Sequence, residues 1–253
     1  MFRENSAEEA VVALISGGLD STTLLAMLKS QGRALYCLTV EYGQTHRGEI
    51  EAAKCIAKAM EAKQHIVAQV DLSAFGGSAL TGGLAAPPER SLEQIASGGI
   101  PATYVPARNT VFLALALSWA EALGVRDIAI GVNAVDYSGY PDCRPEFLAA
   151  FENLARLATR AGTEDKARFR VLAPLIGLSK AEIVREGTRL GVDYGMTRSC
   201  YFPAPDGLAC GRCDACRLRL KGFADAGIPD PLRYRCQACA GAAEFSQIQR
   251  NPS

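Results

Sequence analysis

Val11-Val12-Ala13-Leu14-Ile15-Ser16-Gly17-Gly18-Leu19-Asp20-Ser21-Thr22-Thr23 is the stretch whose reading decides the fold. Five consecutive apolar residues read as a strand buried on both faces. Two glycines then turn the backbone, and a hydroxyl-rich segment opens a helix expected over residues 22–29. That order aims the amides of a helix N-terminus at one point, at the positive end of its dipole, and makes an anion site. The two commoner phosphate loops are excluded. The run has neither the Lys of G-x-x-x-x-G-K-[ST] nor the three spaced glycines of the dinucleotide fingerprint. A plain turn with Asp20 or Ser21 as helix cap would use the same residues.

The stretch resembles the signature of the PP-loop ATP pyrophosphatases. The resemblance implies that Leu14, Ile15, Ser16, Gly17, Gly18, Leu19, Asp20, Ser21, Thr22, Thr23 and Leu24 surround ATP, whose α-phosphorus receives a substrate oxygen. Strands expected over 11–15, 34–40, 64–70, 127–131 and 169–172 alternate with helices over 22–29, 49–60, 109–123, 145–160 and 180–190. The expectation is an α/β fold, a Rossmann-like, doubly wound and mainly parallel sheet. Residues 1–192 form the ATP-binding domain in this reading. Gly76-Gly77, Gly82-Gly83, Pro87-Pro88 and Gly98-Gly99 mark an irregular insertion at 71–107. Residues 193–235 read as a small zinc-binding subdomain, and 236–253 as a poorly ordered tail.

Within 253 residues, Lys+Arg and Asp+Glu number 27 each, so no basic excess points to direct nucleic-acid binding. The apolar run 111–120 stops at Glu121, too short for a membrane span. No apolar signal region precedes the first strand, and a cytoplasmic location is expected.

Nine cysteines are unevenly placed. Cys200, Cys210, Cys213 and Cys216 supply four thiolates, with two C-x-x-C steps sharing Cys213 and Gly211 allowing the bend. Four thiolates suit structural Zn²⁺ with no open position, and an Fe–S cluster takes the same number. Zinc is the expectation. Cys236 and Cys239 have no second ligand pair and are given no role.

With loop and cysteines together, the chain resembles the 7-cyano-7-deazaguanine synthase family from residue 11 to about residue 231. The segments that carry the resemblance are Ser16-Gly-Gly-Leu-Asp-Ser-Thr-Thr23, Glu41-Tyr-Gly-Gln-Thr-His-Arg47 with Glu49, and Gly99-Ile-Pro-Ala-Thr-Tyr-Val-Pro-Ala-Arg-Asn109. Gly131 to Phe147, with Ser138-Gly-Tyr-Pro-Asp-Cys-Arg144 inside it, Lys180-Ala-Glu182 and Ser199-Cys-Tyr201 complete the set. Two departures are Thr45, where the family commonly has a basic residue, and Glu41, where it commonly has Asp.

The resemblance implies a homodimeric ligase that adenylates 7-carboxy-7-deazaguanine with MgATP and lets ammonia displace AMP. A second ATP then activates the amide and yields the nitrile. Asp20, His46, Arg108 and Lys180 are the expected catalytic residues, with Asp20 near the phosphate-bound Mg²⁺ or capping the helix. Arg108 and Lys180 would contact phosphate or carboxylate. His46 would be a general base or a hydrogen-bond donor. Glu41, Tyr42, Gln44, Asn109, Asp136, Tyr140 and Asp142 are the expected substrate contacts, with Asp136 or Asp142 reading the N–H edge and a Tyr covering the flat face. Cys143 reads as a buried thiol under the site rather than a nucleophile. Competing readings are a PP-loop enzyme that stops at an amide with another amine, a tRNA thiolase, and a zinc-stapled interaction module.

Overall fold

The computed structural model describes residues 9–45, 48–82, 89–97, 99–133 and 139–235. The apolar run forms β1 (Ala10–Leu14), and α1 (Leu19–Ser30) follows the glycine turn. α1 begins three residues before the expected start, because Leu19 is buried and enters the core as the first helical residue. Gly18 is therefore the N-cap residue, extended at φ −84° and ψ 171°, and no side chain caps this end. Asp20 and Ser21 lie inside the first turn and cap nothing, which removes the plain-cap reading of the loop.

The chain continues through β2 (Ala34–Glu41), α2 (Gly48–Ala59), β3 (Gln64–Gln69), α3 (Leu92–Ala96), α4 (Arg108–Leu123) and β4 (Asp127–Ala129). Then come α5 (Pro145–Ala158), α6 (Arg160–Thr163), β5 (Arg170–Leu172), α7 (Lys180–Arg189) and α8 (Asp214–Ala226). The five strands form one parallel sheet in the order β3-β2-β1-β4-β5. In register, Val12 of β1 stands between Tyr36 of β2 and Ile128 of β4.

Successive residues of β1 feed opposite layers. Val11, Ala13 and Ile15 pack with α1, α2 and α7, whereas Val12 and Leu14 pack with α4 and α5. A strand covered on both sides needs apolar side chains at every position, which is why 11–15 shows no alternation. Strand order reverses at β1, so a crevice opens beyond the carboxyl ends of β1 and β4, the ligand position in doubly wound sheets.

Two segments carry structure that the sequence reading did not specify. In the 71–107 insertion, Leu80 and Val105 enter the core, and the Ala79 amide donates to the Ala102 carbonyl at 2.9 Å. Its helical pieces, the 3₁₀ turns Ser73–Phe75 and Ala79–Thr81 and the five-residue α3, are too short to leave a periodic signature. Near the C-terminus, α8 lies along α7, and its Phe223 meets Tyr194 edge-on at 5.3 Å within the α1–α7 layer. No helix among the described residues is long and apolar enough to cross a membrane.

Candidate active site

The glycine turn is built by close approach. Gly17 has φ +79°, and a Cβ there would lie 2.4 Å from the Glu49 carbonyl oxygen and 2.7 Å from the Ala53 amide. Only glycine lets the loop press so closely onto the first turn of α2. From the other side, the Arg198 amide donates to the Gly17 carbonyl at 2.8 Å, and the Leu19 amide reaches Ser199 Oγ at 3.5 Å. Ser21 Oγ accepts from the Ser16 amide at 3.2 Å and donates to the Gly18 carbonyl at 3.2 Å. The loop is thus held open, with the first-turn amides of α1 facing the crevice.

Lys180 enters from the first residue of α7, where Ser179 and Glu182 form a reciprocal capping box. Its Nζ donates to both carboxylate oxygens of Asp20, at 2.8 and 2.7 Å. An ammonium group is therefore fixed beside the amides of the anion site, and the two charges are screened little because both side chains are largely covered.

The crevice is a cavity of ≈ 270 Å³ that runs without interruption from this loop to an aromatic end. There the Arg108 guanidinium lies over the rings of Tyr42 and Phe112 at 5.6 and 5.7 Å. Burial works against that charge, but the phenols of Tyr42, Tyr201 and Tyr140 outweigh it, so the guanidinium is held above its ordinary range. Burial likewise pushes the Tyr42 phenol up, opposed by Arg108. Tyr140 shares this wall, with its hydroxyl 3.3 Å from Thr103 Oγ1.

Of the expected ATP contacts, Leu14, Ile15, Ser16, Gly18, Leu19, Asp20 and Ser21 line the cavity. Gly17 is turned into α2, Thr22 and Thr23 bond back to the Gly18 and Leu19 carbonyls at 2.8 and 3.0 Å, and Leu24 is core. Arg108, Lys180, Tyr42, Gln44, Asn109 and Tyr140 also line it. Glu41 does not; its Oε2 accepts from Gln69 Nε2 at 3.1 Å on the neighbouring strand. Asp142 is buried outside the cavity wall and accepts the Asn109 amide at 2.9 Å, which caps α4. That leaves the expected edge-reading role without a carboxylate at this position. His46 and Asp136 lie outside the described residues. Cys143 is buried and accepts from Asn109 Nδ2 at 3.2 Å.

Glu49, Arg198, Ser199 and Tyr201 line the cavity without having been assigned as site residues. Their signal was position: each falls within or beside a segment that carries the resemblance. Burial raises the Glu49 carboxyl to about 7, with Arg108 opposing.

Beside the loop, the sulfurs of Cys200, Cys210, Cys213 and Cys216 all lie within 4.8 Å of one another, and Cys210 and Cys216 are 3.9 Å apart. A tetrahedron of Zn–S bonds of about 2.3 Å needs sulfurs about 3.8 Å apart. Amides of Cys213 and Arg212 donate to Cys210 Sγ at 3.3 and 3.4 Å, and that of Cys210 to Cys200 Sγ at 3.2 Å. Such N–H···S bonds support thiolate ligands. Hydrogen bonds from Cys200 and Cys216 hold the Cys213 thiol below its usual range and raise the other two. The donor set fits a four-coordinate metal ion.

Arg219 ties this cluster to the loop. Almost fully buried, it binds Asp230 through Nε and Nη2 at 2.8 and 2.9 Å, and Thr197 Oγ1 through Nη1 at 2.6 Å. Its Nη2 also reaches the Tyr194 carbonyl at 3.1 Å, while the Tyr194 hydroxyl meets Thr23 Oγ1 of α1 at 2.8 Å.

Comparison with known proteins gives the family of the chain. A 7-cyano-7-deazaguanine synthase of Geobacter metallireducens is 60% identical over 88% of this chain and 92% of its own length. One of Stutzerimonas stutzeri is 60% identical over 90% and 99%, and one of Desulfatibacillum aliphaticivorans 57% identical over 90% and 97%. The model of the family described as queuosine biosynthesis protein QueC matches residues 10–227, which spans the whole sheet, the loop and the four cysteines. The chain belongs to the queuosine biosynthesis protein QueC family.

Proposed function

We propose that the protein is a 7-cyano-7-deazaguanine synthase, which converts 7-carboxy-7-deazaguanine and ammonia to the nitrile at the expense of ATP. The observation that carries this reading is the single cavity joining the loop and Lys180 to the Tyr42–Arg108–Tyr140 end, in a chain of this family. A carboxylate oxygen is a poor leaving group, and its adenylate leaves as AMP. The α1 amides and Lys180 Nζ sit where negative charge grows as pyrophosphate departs. One donor of that kind is worth about 3 kcal/mol of barrier. Tyr42, Tyr140 and Phe112 offer faces to a flat heterocycle, and Arg108 a counter-charge to its carboxylate.

Mg²⁺ arriving with ATP would meet Asp20, the cavity carboxylate at the loop, and would supply charge neutralisation on the phosphates. The four cysteines would hold Zn²⁺ in a structural role, through the Arg219 network. The reading includes a cytoplasmic homodimer using free or partner-supplied ammonia.

Incubation with MgATP, ammonia and 7-carboxy-7-deazaguanine, followed by mass spectrometry, tests it. Amide followed by nitrile is expected. Neither product from fully metallated protein overturns the reading, and amide alone reduces it to an amide-forming ligase.

A further inference from the structure

Among the described residues, two carboxylates line the cavity, Asp20 and Glu49. Asp20 has both oxygens on Lys180. Glu49 belongs to the first turn of α2, whose backbone packs against the glycine turn. The clash that a Cβ on Gly17 would make with the Glu49 main chain shows α2 seated directly against the anion site. Among the described residues, the charged and titratable groups that face the Glu49 carboxylate are Arg108 of α4 and Tyr42 beyond β2. The Glu49 main chain touches the loop, where an acyl adenylate would form, and its carboxylate faces Arg108 and Tyr42 at the aromatic end, where the heterocycle would lie.

Resting on the function proposed above, we propose that Glu49 is a catalytic residue that binds ammonium in the cavity and takes its proton. An N–H bond of ammonium breaks, the proton goes to the Glu49 carboxylate, and ammonia keeps the lone pair. That pair forms the C–N bond at the acyl-adenylate carbon while the C–O bond to AMP breaks with its electrons on the phosphate oxygen. The extra proton of the new amide nitrogen passes to solvent. An ordinary carboxylate is too weak a base for this transfer, and the lifted proton affinity of a covered Glu suits it. The carboxylate also gives the cavity a cation subsite, so ammonium is gathered in the form that predominates in neutral water.

The test compares wild type, Glu49→Gln and Glu49→Asp in three assays: ATP–pyrophosphate exchange dependent on 7-carboxy-7-deazaguanine, amide formation from ammonia, and hydroxamate formation from hydroxylamine. Hydroxylamine is neutral at the assay pH and needs no deprotonation before attack. Glu49→Gln is expected to keep exchange and hydroxamate formation and to lose ammonia-dependent amide formation by about 100-fold or more, with Glu49→Asp in between. Amide formation from ammonia at the wild-type rate in Glu49→Gln overturns the proposal. Equal loss with both nucleophiles, or loss of exchange, also overturns it, because a structural role would do that. Wild type without exchange would instead overturn the function on which the proposal rests.

Discussion

A Cβ on Gly222 would lie 2.4 Å from Cγ of Lys180, so the absent side chain in the middle of α8 is the space that the lysine stem occupies. Lys180 reaches Asp20 only because α8, the helix that carries Cys216, has glycine there. Helix propensity alone would favour alanine at this position by about 0.5–1 kcal/mol. Gly222→Ala should do the opposite. Overpacking is expected to cost about 1–3 kcal/mol, read by urea denaturation, together with slower ATP–pyrophosphate exchange.

Lys180→Met removes the ammonium and leaves the Asp20 carboxylate beside the anion site. Exchange is expected to fall by about 100-fold or more. The far-ultraviolet circular dichroism spectrum should stay unchanged, since the pair lies at the cavity edge and not in the core layers.

Arg219→Leu takes the counter-charge from the buried Asp230 carboxylate, whose other partners are the neutral Tyr234 hydroxyl at 2.5 Å and the Leu232 amide at 3.0 Å. Removing one side of a buried pair costs about 3–5 kcal/mol. A fall of that size in urea-denaturation free energy is expected. A change below about 1 kcal/mol would mean the pair behaves as an exposed one.

Cys213→Ser takes one ligand from the four-sulfur cluster. Bound zinc, measured by plasma emission spectrometry, should drop to trace level. Chelation of the wild-type metal should lower the melting temperature, because Cys200 directly follows the Arg198–Ser199 pair on the loop. Unchanged zinc in the variant would refute this ligand set.

Glu49 makes stability fall with rising pH. Its carboxyl is raised from 4.5 to about 7, so the folded state binds the proton more tightly than the unfolded chain. The resulting stabilisation is full below the unfolded value and is lost as pH rises through about 7. Discounted for partial exposure, the effect is about 1–3 kcal/mol. Glu49→Gln should flatten this part of the pH–stability curve, measured by urea melts between acid and slightly alkaline pH. A parallel curve would refute the raised proton affinity.

Local order carried much of the reading. The 11–15 run, the glycine turn and the two C-x-x-C steps involve neighbouring residues, so their geometry is written in adjacent side chains. The parallel sheet was legible because a two-faced strand needs unbroken apolar character. α8 was not, since its partly apolar face serves Lys180, Arg219 and Phe223 rather than a uniform core stripe. The resemblance offers Asp142 as a substrate contact, and only the fold shows its carboxylate on an amide of α4.

By itself the sequence determined the glycine turn between β1 and α1, the alternating α/β order and the set of four cysteines, because each depends on contacts within a few residues. Tertiary structure alone decided that Lys180 meets Asp20 across 160 residues, that Gly222 makes room for it, and that Glu49 is covered enough to hold a proton near neutrality. Those properties belong to burial and long-range approach, which no spacing along the chain encodes.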